Sequence, residues 1–479
     1  MEKVGIDDLV AYIPKLYLDA GDLEKERKLS TGHITNGLGI EKIAIPDAHE
    51  DSNTMAANAV YELLEQNNLS PKDIGRFEVA TESSYDEAKA ANSYIIGMLE
   101  QIYGEGACRH WGGTERKAAC ASAGYALYDM INWIRAKESD GKYGIVVATD
   151  IAKYEMGSSA EYTQGAGAVA LLISISPRLL SFEPYAIGFA TINERDFFRP
   201  FGKLTPEVDG KRSIVCYLYL MREALESWKR SVIKHGIISL RKDECILDYV
   251  DRICFHLPFP KIVEEAVAFL LRHEWRNLPR WREIIEKIGK EPPSEERESL
   301  EAILKDEGFM RVDKEFRKKF RETEMFRKFY EEKVEKSVRI GRQVGNAYTA
   351  SLLLALDSLF ETEYKLGNDL IGMRIGLGFY GSGATSLALS GKVQEGYKEV
   401  VRKFDVFEKL EKRKRISIEE YEELHEVRKE KRSISRFFYD TSGRKRKRRE
   451  INESIIPPSN EFALIGIENN GYRVYKFVE

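Results

Sequence analysis

Apolar positions in the first third of the chain follow two alternating periods. "VGIDDLVAYIP", "IGRFEVATES", "YGIVVATDIA" and "GAVALLISIS" are short aliphatic and β-branched runs that read as strands. The last two are nearly continuous, as strands buried on both faces are. Between the runs, "DSNTMAANAVYELLEQNNLS", "DEAKAANSYIIGMLEQIYG" and "AGYALYDMINWIRA" repeat apolar residues at helical spacing. Asp51 or Ser52 stands where the first of these needs an N-cap. Strands separated by helices of this length predict a layered α/β architecture.

The second half repeats the style less regularly. "RSIVCYLYLMREALESWKRSVIKHG" reads as a long helix, "DYVDRICFHLPF" ends in a strand, and "GNAYTASLLLALDSLF" is a helix. "LIGMRIGLGFYGSGATSLALSG" reads as strand, glycine-rich turn and strand, and "EFALIGIENNGYRVYKFVE" as a closing hairpin on Asn-Asn-Gly. The pattern is compatible with a duplicated α/β unit, divided at about 175/176, although no repeat is visible by residue identity. Two charged zones interrupt it. Residues 273–340 read as helical insertions on the surface. Residues 399–453 contain the basic run "GRKRKRR" at 443–449 among acidic neighbours, which reads as a solvated loop rather than a nucleic-acid site.

Composition narrows the class. The 479 residues exceed one ordinary core and suggest two core-forming halves. Charged residues reach 32% but of both signs, leaving a net charge of −4 and no electrostatic case for nucleic acid or an anionic membrane. The five cysteines, Cys108, Cys120, Cys216, Cys245 and Cys254, form neither a CxxC pair nor a zinc spacing, and their odd number suits a reducing compartment. No signal peptide is legible, and no run approaches the roughly 20 apolar residues of a spanning helix. These features predict a soluble cytoplasmic protein.

One cysteine stands apart. "KAACASAGYAL", residues 117–127, sets Cys120 among small residues just before a helix. Free backbone N–H groups and a positive dipole end favour thiolate there, which a nucleophile needs and a space-filling cysteine does not. Three further segments join it: "VATESS" (79–84), "FHLPFPK" (255–261), and "GNAYTAS" with "YGSGATS" (345–351 and 380–386).

Together these motifs resemble the 3-hydroxy-3-methylglutaryl-CoA (HMG-CoA) synthase family of the thiolase superfamily. The resemblance runs from about residue 4 to 265 and again from about 340 to 390, helped by "DGKYGIVVATDIAKYE", "DFFRP" and "VDGKRSIVCYL". It implies a thiolase-like αβαβα fold of two related halves with the active site between them. The implied reaction joins acetyl-CoA, acetoacetyl-CoA and water into HMG-CoA and CoA, toward mevalonate and isoprenoids. Cys120 would carry the acetyl group. Glu82 would remove the methyl proton, a task suited to a partly buried carboxylate with a raised pKa. His256 would hold and polarise the acetoacetyl thioester and help stabilise thiolate. Asn346 would hydrogen-bond that substrate, and the Ser382 N–H, with that of Cys120, would form an oxyanion hole. Thr163 and Ser213 match further substrate contacts. Lys261 matches a CoA-binding lysine, but the family's next lysine, four residues on, is Glu265 here.

The resemblance implies no metal and no redox cofactor. It implies a homodimer and, in archaeal relatives, association with an acetoacetyl-CoA thiolase and a small zinc/OB-fold protein. Alternatives stay open: a decarboxylating ketoacyl synthase III-like enzyme, which needs no glutamate at position 82; a polyketide-type synthase using a carrier-protein-bound ketone; and a non-catalytic acyl-CoA-binding scaffold.

Overall fold

A computed structural model describes residues 2–200, 203, 205–292, 300–426, 454–468 and 470–479. Nine strands form one hydrogen-bonded series. They are β1 (Val4–Tyr12), β2 (Ile74–Ala80), β3 (Glu115–Arg116), β4 (Tyr143–Ala152), β5 (Gly165–Ile175), β6 (Leu180–Thr191), β7 (Arg252–Phe255), β8 (Arg374–Gly381) and β9 (Thr385–Val393). Their spatial order is β7-β8-β9-β6-β1-β5-β4-β2-β3.

This order contains one topology twice. In the first half β1 pairs antiparallel with β5, β5 antiparallel with β4, and β4 parallel with β2. In the second, β6 pairs antiparallel with β9, β9 antiparallel with β8, and β8 parallel with β7. The halves meet at a short seam, Val4 to Ile6 against Leu180 to Phe182. Gly5 allows the approach, because a Cβ there would lie 2.0 Å from the Leu180 carbonyl oxygen. Duplication is therefore written in strand order where residue identity hides it.

Helices α1 (Ser52–Gln66) and α2 (Ala91–Tyr103) pack with the apolar residues of β2 and β4 into one cluster. Asp51 caps α1 through a capping box with Thr54. The second helix begins at Ala91 rather than at Asp86, because the Asp86 carboxylate accepts from the Ala88 and Lys89 N–H groups and holds that stretch in a turn. Helices α3 (Ser122–Arg135) and α9 (Ser351–Lys365) share another apolar cluster with strands of both halves. In the second half, α4 (Gly210–Lys234) lies across β6 and β9 with α5 (Pro260–Trp275) beside it.

The described residues of 273–340 are largely helical as the charge pattern predicts, with α6 (Pro279–Ile288), α7 (Glu307–Arg321) and α8 (Glu324–Lys333) among them. They are not a surface addition. Trp281, Phe316, Phe320, Phe326 and Phe329 are buried in the same cluster as Trp275 of α5. Most of the charges lie on the outer face of each helix, although Asp313 and Arg317 of α7 are buried beside Phe316 and Phe320, and aromatic residues at helical spacing are the other half of the pattern. Phe320 is fully buried, with ring centroids 5.1 Å from Trp281 and 6.0 Å from Trp275. Phe320→Ala is expected to cost about 3–5 kcal/mol. Chemical denaturation checks this, and a cost below about 1 kcal/mol would mean that the segment does not belong to the core.

The described part of 399–453 is likewise built into the fold. Lys414–Ile416 pairs parallel with Leu16–Asp19, and buried Tyr421 donates to Glu161 at 2.9 Å. The basic run 443–449 lies outside the described residues. The chain closes with the hairpin of β10 (Glu461–Ile467) and β11 (Arg473–Val478), which packs on α1 and α2. Among the described residues no helix is long and apolar enough to cross a membrane.

Candidate active site

The repeated topology explains why motifs hundreds of residues apart converge. Glu82 follows β2 and His256 follows its counterpart β7; Cys120 precedes α3, and Asn346 precedes α9. Each half thus offers one strand-end side chain and one at the entrance to a buried helix, and Ser382 follows β8.

Cys120 is buried in a small cluster with Ala152, Tyr154 and Tyr348, against which Ala160 and Phe197 pack. Its loop is held by Ser122, whose Oγ donates to the Ala119 carbonyl at 2.6 Å and accepts from the Ala118 N–H at 2.6 Å. The thiol lies close enough to the Glu82 carboxylate for each to shift the other's pKa. Burial pushes the thiol well above its ordinary 9.0, and the negative charge of Glu82 pushes it further. This corrects the expectation of a thiol acidified by the helix end. Cys120 stands two residues before the first helical residue, and the loss of water beside a carboxylate outweighs the dipole there. At rest Cys120 is a thiol.

Glu82 is partly exposed as a residue, but its Oε1 is buried. Its pKa is raised from 4.5 to about 8, first by burial and then by the Asp150 charge; the Cys120 thiol, Arg199 and Lys117 act in the other direction. The raised carboxyl foreseen for a proton-abstracting base is therefore present.

Asp150, which sequence reading left inside a strand, organises this centre. Its Oδ1 accepts from the Glu82 N–H at 2.7 Å, the Ser83 Oγ at 2.7 Å and the Thr81 Oγ1 at 3.1 Å. Its Oδ2 accepts from the Thr349 N–H at 3.0 Å and Oγ1 at 2.5 Å, joining the first half to the second. A carboxylate in so apolar a run as "YGIVVATDIA" must be hydrogen-bonded or become neutral, and that rule is the signal that would have found it.

His256 is 3% exposed. Its N–H donates to the Gly378 carbonyl at 2.7 Å, and its own carbonyl accepts from the Tyr217 hydroxyl at 2.7 Å. Its ring lies near Tyr380, with centroids 6.4 Å apart. Burial lowers the imidazole from 6.5 to about 3, so it is neutral at physiological pH. Stabilising thiolate by positive charge is excluded in this state; a neutral ring keeps one donor and one acceptor for a substrate.

Asn346 is buried with its N–H on the Thr163 carbonyl at 3.0 Å. Its Oδ1 accepts from the Tyr348 N–H at 2.8 Å and the Ser351 Oγ at 3.1 Å, which fixes the amide plane. The Ser382 turn touches the nucleophile loop, because a Cβ on Gly381 would lie 2.4 Å from the Ala118 carbonyl oxygen and 2.8 Å from the Ala121 nitrogen. Asp196 from "DFFRP" braces this turn, accepting from the Gly383 N–H and the Tyr380 hydroxyl, each at 2.8 Å.

The remaining expected residues lie further out. Thr163 reaches the centre through its carbonyl to Asn346, while its Oγ1 donates to Ala160 at 2.9 Å. Ser213 lies in the first turn of α4, outside the Cys120 cluster. Lys261 opens α5 and lines a groove of about 1480 Å³ between α4, α5 and α7, together with Lys211, Tyr219, Arg222, Phe259 and Lys314. Cys120, Glu82 and His256 do not line this groove. Glu265, in place of the family's second lysine, takes Arg317 at 3.1 Å and Arg321 at 2.8 Å from α7. That position therefore ties the two helices together. Among the described residues, one cluster has the make-up of a metal site, Glu226, His273 and Glu274, but Lys229 pairs with both of its carboxylates.

Two half-domains of one topology, meeting over a buried cysteine that faces a carboxyl of raised pKa, define an acyl-condensing enzyme of thiolase-like fold. Family models described as the N-terminal and C-terminal parts of hydroxymethylglutaryl-coenzyme A synthase match residues 1–177 and 186–447. The second match runs across 273–340, so that segment is not foreign to the family. The hydroxymethylglutaryl-CoA synthase of Haloferax volcanii is 34% identical over the whole of both chains. That of Saccharomyces cerevisiae is 30% identical, covering 89% of this chain and 82% of its own. Among solved structures, MvaS in complex with 3-hydroxy-3-methylglutaryl coenzyme A is 30% identical with a TM-score of 0.80 over both full chains. An HMG-CoA synthase complexed with CoA is 26% identical with a TM-score of 0.72, covering 99% of this chain and 100% of its own. The chain belongs to the hydroxymethylglutaryl-CoA synthase family.

Proposed function

We infer that this protein condenses acetyl-CoA with acetoacetyl-CoA and water to give HMG-CoA and free CoA, the family's step toward mevalonate. The contact between the Cys120 thiol and the Glu82 carboxyl carries the reading. The thiol sulfur attacks the acetyl carbonyl, CoA leaves with a proton, and a thioester forms on Cys120. Glu82 then takes a proton from the acetyl methyl group, and the resulting enolate carbon attacks the ketone carbon of acetoacetyl-CoA. The alkoxide takes a proton, water cleaves the Cys120 thioester, and HMG-CoA leaves with the thiol restored.

His256 and Asn346 are the proposed contacts for the acetoacetyl group. Turn 382 and the Cys120 N–H receive the thioester oxygen, and Lys261 meets the CoA arm. Thr163 acts through Asn346, while Ser213 stays a proposed substrate contact. The proposal calls on no metal or redox cofactor. It includes a homodimer and association with an acetoacetyl-CoA thiolase and a small zinc/OB-fold protein, all drawn from the resemblance.

The test is direct. Purified protein incubated with labelled acetyl-CoA is expected to carry label on Cys120 and, with acetoacetyl-CoA, to release labelled HMG-CoA. A base with its pKa near 8 works only when ionised, so condensation is expected to rise with pH through about 8. Label that never passes to a six-carbon acid overturns the reading.

A further inference from the structure

The carboxyl of Glu82 is on a loop, Thr81–Ala90, and a catalytic loop needs a rigid scaffold around it to hold a base within reach of one methyl group. Behind it stands Asp150. In front of it stands the C-terminal hairpin of β10 and β11, which lies beyond the residues matched by the family models. Arg473 of β11 is buried, with its guanidinium 3.6 Å from the centre of the Tyr85 ring, three residues past Glu82. Its NH1 donates to the Asp51 carboxylate at 3.2 Å, and the Tyr475 hydroxyl donates to the same oxygen at 2.8 Å. Asp51 caps α1, whose first residue, Ser52, donates from Oγ to the Ser83 carbonyl at 3.0 Å. At the far end of the loop, Lys89 donates to the Tyr472 hydroxyl at 2.9 Å.

We propose that the C-terminal hairpin is the outer clamp of the Glu82 loop, and that Arg473 and Tyr85 are positioning residues for carbon–carbon bond formation. This rests on the function proposed above. Arg473 touches both ends of one short path: the Tyr85 ring directly, and the Ser83 carbonyl through Asp51 and Ser52. Phe462 of β10 is fully buried and exchanges hydrogen bonds with Asn58 of α1, its N–H donating at 2.7 Å and its carbonyl accepting at 3.1 Å. The hairpin is thereby anchored independently of the loop it grips, as a clamp must be. Loosening the loop admits water to a carboxyl whose pKa burial has raised. The groups facing that carboxyl (Cys120, Asp150, Tyr154, Tyr348, Arg199 and Lys117) stay in place, so its pKa falls toward its ordinary value.

The experiment uses the full chain with Tyr85→Ala, Arg473→Ala, the double variant and Tyr85→Phe, which keeps the ring under the guanidinium. Wild-type condensation of acetyl-CoA with acetoacetyl-CoA is measured first, and its absence would count against the proposed function rather than the clamp. In Tyr85→Ala and Arg473→Ala the condensation kcat is expected to fall on the order of tenfold to a hundredfold, while the rate of Cys120 acetylation holds. The acidic limb of the condensation profile is expected to move to lower pH. The double variant should lose little more than either single one, and Tyr85→Phe should restore the wild-type rate and limb. Wild-type kcat in both single variants overturns the clamp. So does an equal loss of acetylation and condensation with the limb unmoved, the mark of general destabilisation.

Discussion

Glu82→Ala protein is expected to take acetyl from acetyl-CoA onto Cys120 and then stall. Acetylation needs a nucleophilic sulfur, and the Glu82 charge is among the causes that keep the thiol protonated, so its removal does not impair that step. Carbon–carbon bond formation needs the methyl proton removed, and among the described residues the carboxyl that the thiol faces is that of Glu82. General acid–base groups contribute about 10²–10⁴-fold to rate, and condensation is expected to fall by at least that much. Rapid-quench measurement of acetyl-enzyme and of HMG-CoA separates the two steps. A decarboxylating synthase generates its carbanion by losing carbon dioxide and would tolerate the change. Near wild-type condensation by Glu82→Ala protein would therefore overturn the assignment of the base.

Cys120→Ala is expected to abolish covalent acetylation while leaving the protein folded, since it removes one sulfur from a small apolar cluster. Cys120→Ser should fail as well, because a hydroxyl in that setting stays protonated at neutral pH. The thiol is one of the groups that hold the Glu82 pKa down, so Cys120→Ala should leave Glu82 harder to ionise in a direct titration, whereas Cys120→Ser keeps an O–H donor and should not. Acetyl label recovered on either variant, at any residue and at the wild-type rate, would refute the nucleophile.

The strand and helix runs of the first half were legible because their periods differ and their ends carry caps, as at Asp51. The candidate site was legible because Glu82, Cys120, His256, Asn346 and Ser382 each lie in a short motif at the end of an element. The aromatic face of 273–340 was obscured by charge. Trp281, Phe316 and Phe320 are spaced so that only packing against Trp275 shows which face is inside. Asp150 and Asp196 were hidden for the opposite reason: each acts through partners distant in sequence, Thr349 for one and Gly383 for the other.

By itself, then, the sequence determined the alternation of elements, the candidates proposed as nucleophile and base, and the family they resemble, because these depend on local period and on residue type within short motifs. The tertiary structure alone decided the protonation of that group and the repetition of the halves. Burial raises Cys120 and Glu82 and lowers His256, and burial is a property of everything packed around a residue. The repeat resides in the order and direction of strand pairing, which many sequences satisfy equally and none displays along its length.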